Sequence, residues 1–249
     1  MTRYAVAGHN ILRPLQTAQS DSWDARAFAA FSMFPFCGRI SNGQFTRHGR
    51  QVTLPANMAP EPHAIHGHAW QGAWSLEQAT ANSAELAFHY AAADWPWAYT
   101  ARQHYTLHEA GLDVTLSLTN EAASAMPAGF GWHPYFPRRG ARLKAATTAV
   151  WQATDTTAMT RPQRLNAATD LSSWREVESL NLDHCFDIDT TRQQISWPGV
   201  DVVMTADPAF TRLTVFIPSG EDFFCVEPIS HVPDAVNMNR SAAETGLHD

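Results

Sequence analysis

The sequence predicts an all-β protein, an antiparallel sandwich or barrel with few short helices. The prediction rests on apolar residues that alternate with polar ones at a period of two, which is the pattern of half-buried strands. Residues 111–120 show it most clearly, because leucine or valine fills the even positions 112 to 118 while polar residues fill the odd ones. Turn residues separate many such short segments, and long helical patterns are scarce.

The strongest local prediction is a β-hairpin near the middle of the chain. Residues 102–108 alternate in the same way, and Glu109 to Gly111 supply a connection short enough for a hairpin with the strand at 111–120. The alternation recurs elsewhere and predicts further strands at residues 84–90, 200–205, 213–217 and 223–227.

Two segments between these strands have different patterns. The one helical pattern covers residues 170–180, where Asp170 would cap a turn or two that carries Trp174. The Ala/Thr-rich run at 145–169 is expected to be a long loop with an edge strand. Neither segment has the composition of an interdomain linker, so residues 1–249 are expected to form one domain.

The overall charge restricts the classes of partner. The 249 residues include 17 Lys and Arg against 24 Asp and Glu, for a net charge of −7. Nucleic-acid binders present a basic face, so we expect no nucleic-acid partner. The most apolar stretch, residues 25–37, is interrupted by Arg26 and Pro35 and is too short for a membrane span, so no membrane partner is expected.

The cysteines and the N-terminal segment indicate the compartment. Cys37, Cys185 and Cys225 are odd in number and widely spaced, which indicates reduced thiols rather than a disulfide framework. The first residues lack the continuous apolar core of a secretory signal. We therefore expect a cytoplasmic protein.

Two clusters in the first third of the chain place ionisable groups among apolar ones. Arg39 lies between apolar neighbours, where an arginine must find an acceptor or reach solvent. His63, His66 and His68 suggest a metal site, because imidazole is the commonest metal ligand. On a strand, His66 and His68 would share a face.

Two further clusters lie in the second half. His133 precedes a proline, which holds its backbone extended and fixes the direction of its side chain. Glu227 ends an apolar strand and shares a face with Cys225, and Pro228 is expected to end the strand directly after it. A carboxylate in such a setting tends to have a raised pKa, which suits a general base.

Each cluster also has a purely structural interpretation. Arg39 fits a rim residue whose stem covers neighbouring rings, and His133 fits a packed aromatic corner. Glu227 fits a rim glutamate paired with an arginine. Asp183, next to His184 and an aromatic residue, fits an ordinary polar turn. No single cluster decides between structure and function.

Taken together, the clusters resemble the aldose 1-epimerase (mutarotase) family. Any one motif is weak, but the set follows the order of the family and covers nearly the whole chain. The matching segments are Ile11-Leu-Arg-Pro14, Pro35-Phe-Cys-Gly-Arg-Ile40, His63-Ala-Ile-His-Gly67, Gly131-Trp-His-Pro-Tyr-Phe136, Leu182-Asp-His-Cys-Phe186 and Val226-Glu-Pro228, which continues into Pro233-Asp-Ala-Val-Asn237.

The resemblance implies a fold and a set of site residues. The family fold is a large antiparallel β-sandwich, the galactose mutarotase-like supersandwich, with a sugar cleft on one concave face. By resemblance, Glu227 falls on the family's catalytic base and His133 on its catalytic acid. His66 falls on a second active-site histidine, while Asp183 and Arg39 fall on a substrate-binding carboxylate and arginine.

The reaction implied by the resemblance is the interconversion of the α and β anomers of a hexose or pentose such as galactose or glucose. Glu227 would remove the proton on O1 while His133 protonates the ring oxygen O5, from opposite sides of the pyranose. No metal, nucleotide or redox cofactor is required. The expected partner is a small-molecule aldose, and the protein is expected to be a monomer or homodimer.

Three alternatives and two departures accompany this hypothesis. The alternatives are a non-catalytic sugar-binding or sensor protein on the same fold, a sugar-phosphate epimerase with basic residues for the phosphate, and a metalloenzyme that uses the three histidines.

The sequence departs from the family pattern at two places. Only about ten residues precede Ile11, so the opening strands of the family are expected to be shorter or missing. Gly38 stands where many members carry asparagine.

Overall fold

Antiparallel strands account for nearly all the regular structure of the chain. The computed structural model describes residues 1–16, 24–154 and 158–249. One α-helix, α1 (Ala242–Thr245), and a few 3₁₀ turns accompany the strands. The strands are β1 (Tyr4–Val6), β2 (His9–Leu12), β3 (Ala30–Met33), β4 (Arg39–Ile40), β5 (Gln44–Arg47), β6 (Arg50–Thr53), β7 (Ala64–Ile65), β8 (Ser75–Ala79), β9 (Ser83–Tyr90), β10 (Tyr99–His108), β11 (Gly111–Asn120), β12 (Gly131–Pro137), β13 (Arg142–Thr154), β14 (Ala158–Arg164), β15 (Arg175–Glu176), β16 (Leu182–Trp197), β17 (Val200–Thr205), β18 (Arg212–Ile217) and β19 (Phe223–Ile229).

One large sheet and one smaller sheet dominate the topology. The large sheet has nine strands, with the order β14-β13-β16-β18-β19-β12-β3, while β15 pairs with β13 and β17 with β16. A four-stranded sheet has the order β11-β10-β9-β8, and three two-stranded sheets are formed by β1–β2, β4–β7 and β5–β6. The two main sheets meet beside β3, where the Ser32 hydroxyl donates to Gln103 Oε1 at 2.8 Å. The predicted all-β antiparallel fold is confirmed.

The predicted strands agree closely with the observed ones. The hairpin forms as expected, with His108 opposite Gly111 in the β10–β11 ladder and Glu109 and Ala110 as its two-residue loop. β17 has the predicted bounds, and β9, β10, β18 and β19 each contain their predicted segment. Period-two alternation therefore located the strands well where one face is more exposed than the other.

The register of the large sheet separates its two faces. Directly opposite residues of antiparallel strands project to the same side of a sheet. One face carries a row that crosses the sheet through Phe31, His133, Glu227, Thr214 and Cys185. The other face carries a separate apolar cluster that includes Phe136, Leu213, Val215, Phe224 and Val226.

The pairing between β12 and β19 is interrupted in the middle of this row. Gly131 pairs with Ile229 and Tyr135 with Cys225, but the residues between them form no ladder pairs. The register nevertheless places His133 directly across from Glu227. The predicted end of the strand at Pro228 is wrong, because Pro228 lies opposite Leu213 and the strand continues to Ile229. Proline has no N–H to donate, and it is tolerated here because the ladder toward β12 is interrupted and needs no donor at this position.

Two other predictions are corrected. Residues 170–180 form no α-helix: Arg175 and Glu176 pair with β13, and one 3₁₀ turn follows at Val177–Ser179. Asp170 closes a local turn by accepting from the Ser172 amide at 2.9 Å, so sheet pairing prevails over a weak helical pattern. The run 145–169 is mostly strand, in β13 and β14, with β14 as the expected edge strand. Residues 155–157 of that run lie outside the described residues.

The N-terminal strands are short, and the thiols follow the expectation. β1 and β2 form a hairpin of three and four residues. Cys37, Cys185 and Cys225 are free and buried. The described residues contain no helix with the length and apolar character that a membrane span requires.

Candidate active site

The interruption between β12 and β19 brings a carboxyl group and an imidazole into contact. His133 Nε2 lies 3.3 Å from Glu227 Oε1. Both residues are buried, with 6% and 2% of their surfaces exposed. The pair is therefore adjacent within one row of the sheet. Neighbouring strands place the two side chains side by side, and the expectation that they act from opposite sides of a sugar ring stays a prediction.

Two aromatic rings fix the plane of the imidazole. His133 stacks on Phe31 with a centroid distance of 4.5 Å and on Tyr135 with a distance of 4.8 Å. Its Nδ1 is buried and finds no hydrogen-bond partner among the described residues. The ring is held by packing, and its Nε2 is directed at the carboxyl group.

Burial shifts the two pKa values in opposite directions. It raises the pKa of Glu227 well above 4.5; the charge of Asp183 adds to the rise, and Arg39 opposes it. It lowers the pKa of His133 to about 3, and the charge of Arg13 adds to the fall. Burial therefore disfavours the charged form of both groups, and the carboxyl group holds its proton to a higher pH than an exposed glutamate does. A paired acid and base with separated pKa values is typical of a site of proton transfer.

A tight loop places His66 beside this pair. His66 has a left-handed φ of 59° and Gly67 one of 70°. A Cβ at residue 67 would lie 1.8 Å from the Phe34 carbonyl oxygen, so only glycine fits there. The strand on which His66 and His68 would share a face does not form, because this left-handed turn separates the two histidines.

The His66 ring is oriented by the backbone of residue 38. The Gly38 amide donates to His66 Nδ1 at 3.2 Å, so the neutral ring carries its proton on Nε2. The ring meets His133 edge-on at 5.4 Å. Burial, aided by His133 and Arg39, lowers the pKa of His66 well below 6.5. His66 thus offers a neutral N–H donor next to the pair.

Arg39 and Asp183 approach each other from β4 and β16. Arg39 Nη2 lies 3.6 Å from Asp183 Oδ2, and Arg39 Nε donates to Glu61 Oε2 at 3.0 Å. The side chain of Asp183 is 51% exposed and that of Arg39 is 32% exposed, so both can reach a ligand from solvent. All five residues singled out by the resemblance are therefore brought into one region by direct contacts or by electrostatic influence on Glu227 and His66.

The Pro233–Asn237 motif has a structural task. The buried carboxylate of Asp234 accepts from the Ser41 amide at 2.9 Å, from the Ser41 hydroxyl and from Asn237 Nδ2. The Asp234 amide donates to the Arg39 carbonyl at 2.8 Å. These bonds anchor the backbone of Arg39. Gly38 lies nearby with a φ of 64°, and a Cβ there would meet the Pro233 ring at 2.6 Å, so asparagine would require that ring to move.

Sequence reasoning missed Glu61, the closest partner of Arg39. It is a single glutamate between two prolines, two residues before His63. Nothing in its spacing singled it out, since its contact with Arg39 depends on how the loop before β7 folds back. Asp234 was noticed only as part of a family motif, and its hydrogen bonds to Ser41 could not be read from the spacing.

The three-histidine metal hypothesis is wrong. His63 Nδ1 accepts from the Asn42 amide at 3.0 Å, His66 Nδ1 accepts from Gly38, and His68 Nε2 lies 3.3 Å from Asp94 Oδ1. Over the described ranges, the one group of three donors close enough to share an ion is His133, Cys225 and Glu227, within 4.8 Å of one another. Burial raises the pKa of the Cys225 thiol, which keeps it protonated and a poor ligand.

Comparisons with known proteins show the family and the fold. The aldose 1-epimerase family model matches residues 2–246. An uncharacterized Escherichia coli K12 protein, YphB, is 28% identical over 241 residues, which cover 89% of this chain and 79% of YphB. A crystal structure from Escherichia coli K12, provisionally described as an aldose 1-epimerase, is 26% identical with a TM-score of 0.87 and matches 99% of this chain and 86% of its own. A galactose mutarotase-like protein from Clostridium acetobutylicum has the same fold, with a TM-score of 0.86 at 17% identity over 96% of this chain and 80% of its own.

Proposed function

Because the chain belongs to the aldose 1-epimerase family, we propose that it interconverts the α and β anomers of a hexose or pentose such as galactose or glucose. The observation that carries the proposal is the buried contact of 3.3 Å between Glu227 and His133. An acid and a base are the two groups that opening a cyclic hemiacetal needs.

The adjacent placement of the two groups suits the chemistry. The hydroxyl oxygen O1 and the ring oxygen O5 are both bonded to C1 of the sugar, so neighbouring side chains can reach one each. In ring opening, Glu227 takes the proton from O1 while His133 Nε2 gives a proton to O5, and the C1–O5 bond breaks to leave the open-chain aldehyde. Rotation about the C1–C2 bond exposes the other face, and the reverse transfers close the ring.

The pair needs one proton in total. Before opening, that proton is on His133 and Glu227 is ionised; after opening, Glu227 holds the proton from O1 and His133 is neutral. The second state is the one that burial favours in the empty site, and the two states differ by one proton moved across the contact. The same pair can therefore serve opening and closing without exchanging protons with solvent.

The surrounding polar groups are assigned to binding. In this proposal, the Nε2–H of His66, the guanidinium of Arg39 and the carboxylate of Asp183 hold sugar hydroxyls while C1 reacts. Their charges also act on the pair, since Asp183 raises and Arg39 lowers the pKa of Glu227. The proposed chemistry uses no metal, nucleotide or redox cofactor.

Polarimetry tests the reaction directly. Freshly dissolved α-D-galactose and α-D-glucose, each with and without the protein, are followed to anomeric equilibrium in dilute buffer. The proposal predicts that the protein accelerates the approach to anomeric equilibrium of at least one of these two sugars, or of a pentose followed in the same way. The acceleration should be proportional to the protein concentration. Sugar binding by calorimetry without any acceleration would instead identify a sugar-binding protein on this fold.

A further inference from the structure

Glu61 holds the cation of the proposed sugar site in place. Arg39 Nε donates to Glu61 Oε2 at 3.0 Å, while Arg39 Nη2 lies 3.6 Å from Asp183 Oδ2. Two carboxylates therefore lie against the guanidinium. A pair of this kind fixes the direction of the remaining N–H donors.

The loop that carries Glu61 is itself constrained. Pro60 and Pro62 flank the residue, and a following proline restricts Glu61 to extended backbone. The Asn42 amide donates to His63 Nδ1, so the neutral His63 ring carries its proton on Nε2, which lies 3.6 Å from Glu61 Oε1. Each oxygen of Glu61 thus faces a donor.

A second arginine near the pair is unable to take over the role of Arg39. Arg13 acts on His133 through its charge, but its guanidinium lies over the rings of Tyr135 and Phe223 at 4.3 and 4.5 Å. It also donates to the Arg26 carbonyl oxygen and is buried. Arg39 is the arginine that a sugar in this cleft would meet.

The charges around Arg39 disfavour an anionic ligand. One guanidinium between two carboxylates leaves a net charge of −1 on the group formed by Glu61, Arg39 and Asp183. A sugar ring is small beside the Debye length of about 8 Å at physiological salt, so a phosphate on any of its hydroxyls would lie within this field. A phosphate that approached the remaining N–H donors of Arg39 would also lie near both carboxylates.

We propose that Glu61 is a specificity-determining positioning residue that orients Arg39 toward the hydroxyls of an uncharged aldose and excludes sugar phosphates. This inference rests on the proposed function, because it concerns the substrate of the same site. Glu61 acts through Arg39 and takes no part in proton transfer.

The test compares D-glucose with D-glucose 6-phosphate, which differ only in the phosphate. Kinetics and calorimetric binding are measured for the unsubstituted protein, for Glu61→Gln and for the control Glu85→Gln, which removes a carboxylate from an exposed pair with Arg102. We expect the unsubstituted protein to bind and turn over glucose about 100-fold better than glucose 6-phosphate, in both kcat/KM and 1/Kd. Glu61→Gln should reduce this ratio about tenfold through changes in KM and Kd, while its kcat for glucose stays within about threefold of the unsubstituted value. The control should keep the ratio of the unsubstituted protein.

Three results would overturn the inference. They are an unchanged ratio in Glu61→Gln, the same narrowing in Glu85→Gln, or binding of the phosphate by the unsubstituted protein as tight as that of glucose. Failure of the proposed function gives a different result, because the sugars would then show no catalysed mutarotation. The ratio of the two dissociation constants would still decide the role of Glu61.

Discussion

Glu227 and His133 occupy positions where each is costly to ionise. They lie in a row of the sheet whose other members are Phe31, Thr214 and Cys185, and burial moves both pKa values away from their ordinary ranges. A buried charge is tolerated only with a partner, and here each residue is the partner of the other. The contact therefore lets Glu227 Oε1 and His133 Nε2 share one proton. Opening and closing of the sugar ring require such a shared proton.

The pH–rate profile follows from that single proton. Activity is lost on the acid side when both groups are protonated and on the alkaline side when neither is. Since the pKa of His133 is lowered to about 3, we expect kcat/KM to be retained as the pH falls from 6.5 to about 5, and since the pKa of Glu227 is raised, the alkaline loss should lie well above the ordinary carboxyl range. Polarimetry across this range, with the uncatalysed rate subtracted at each pH, measures it. A loss of activity centred near pH 6.5 would show an ordinary solvated histidine and contradict the assignment.

At the scale of single elements, the loop through His66 determines the geometry of the site. Asn57 pairs with both polar groups of the Ile65 backbone, and Trp70 Nε1 donates to the Gly67 carbonyl at 3.1 Å. The Gly67 backbone lies directly against the peptide between Phe34 and Pro35. This loop has little freedom to adjust, so a change at Gly67 should be transmitted to His66.

Gly67→Ala tests that tightness against a matched control. The new Cβ would meet the Phe34 carbonyl oxygen at 1.8 Å, whereas Gly49, with a similar φ of 75°, has nothing within 4 Å of its Cβ position. Gly49→Ala should cost about 1–2 kcal/mol of unfolding free energy from the left-handed backbone alone. Gly67→Ala should cost at least about 3 kcal/mol and lower the mutarotation rate. Urea unfolding measures the loss of unfolding free energy in each variant. Equal losses would show that the backbone moves the new Cβ at residue 67 away from the Phe34 carbonyl oxygen without strain.

Strand elements were predictable, and the loops that complete the site were not. Alternation placed Glu227 on the same face as Cys225, and the sheet register agrees. The continuation through Pro228 was missed, because the interruption toward β12 is a property of two strands and invisible in one. The left-handed turn at His66 depends on tertiary contacts with residues 34 and 38, and the contact of Glu61 with Arg39 depends on the fold of the loop before β7. Motif order pointed to residues that the fold brings into one region, but their distances depend on the tertiary structure.

At the scale of the whole molecule, buried histidines link stability to pH. The Cys37 amide donates to His231 Nε2 at 3.0 Å, and His231 Nδ1–H donates to the Val232 carbonyl at 2.7 Å, so the ring is neutral and fully engaged. Burial lowers the pKa of His231 from 6.5 to about 4. A histidine with a lowered folded pKa contributes stability above its unfolded pKa and loses that contribution as the pH falls.

The fold should therefore weaken below about pH 6.5. The shift of His231 alone predicts a loss of about 2 kcal/mol of unfolding free energy between pH 7 and pH 5, to which His66 and His133 add in the same direction. Glu227 acts oppositely, because its raised pKa favours the folded state more as the pH falls toward 4.5. Urea unfolding at several pH values measures the net slope. His231→Gln should flatten it, and an unchanged slope in that variant would show that His231 is protonated in the fold.

The proposed chemistry depends on one pair of residues, contributed by two strands that are far apart in sequence. The direct measurement is the polarimetric rate with the aldose that the unsubstituted protein accelerates most, repeated with Glu227→Gln and His133→Asn. Both variants preserve the approximate size of the side chain, and circular dichroism checks their folding. Loss of about 10²-fold or more of the catalysed rate in each, with Glu85→Gln unaffected, is the predicted result. A folded Glu227→Gln or His133→Asn that retained its rate within about threefold would contradict the central claim.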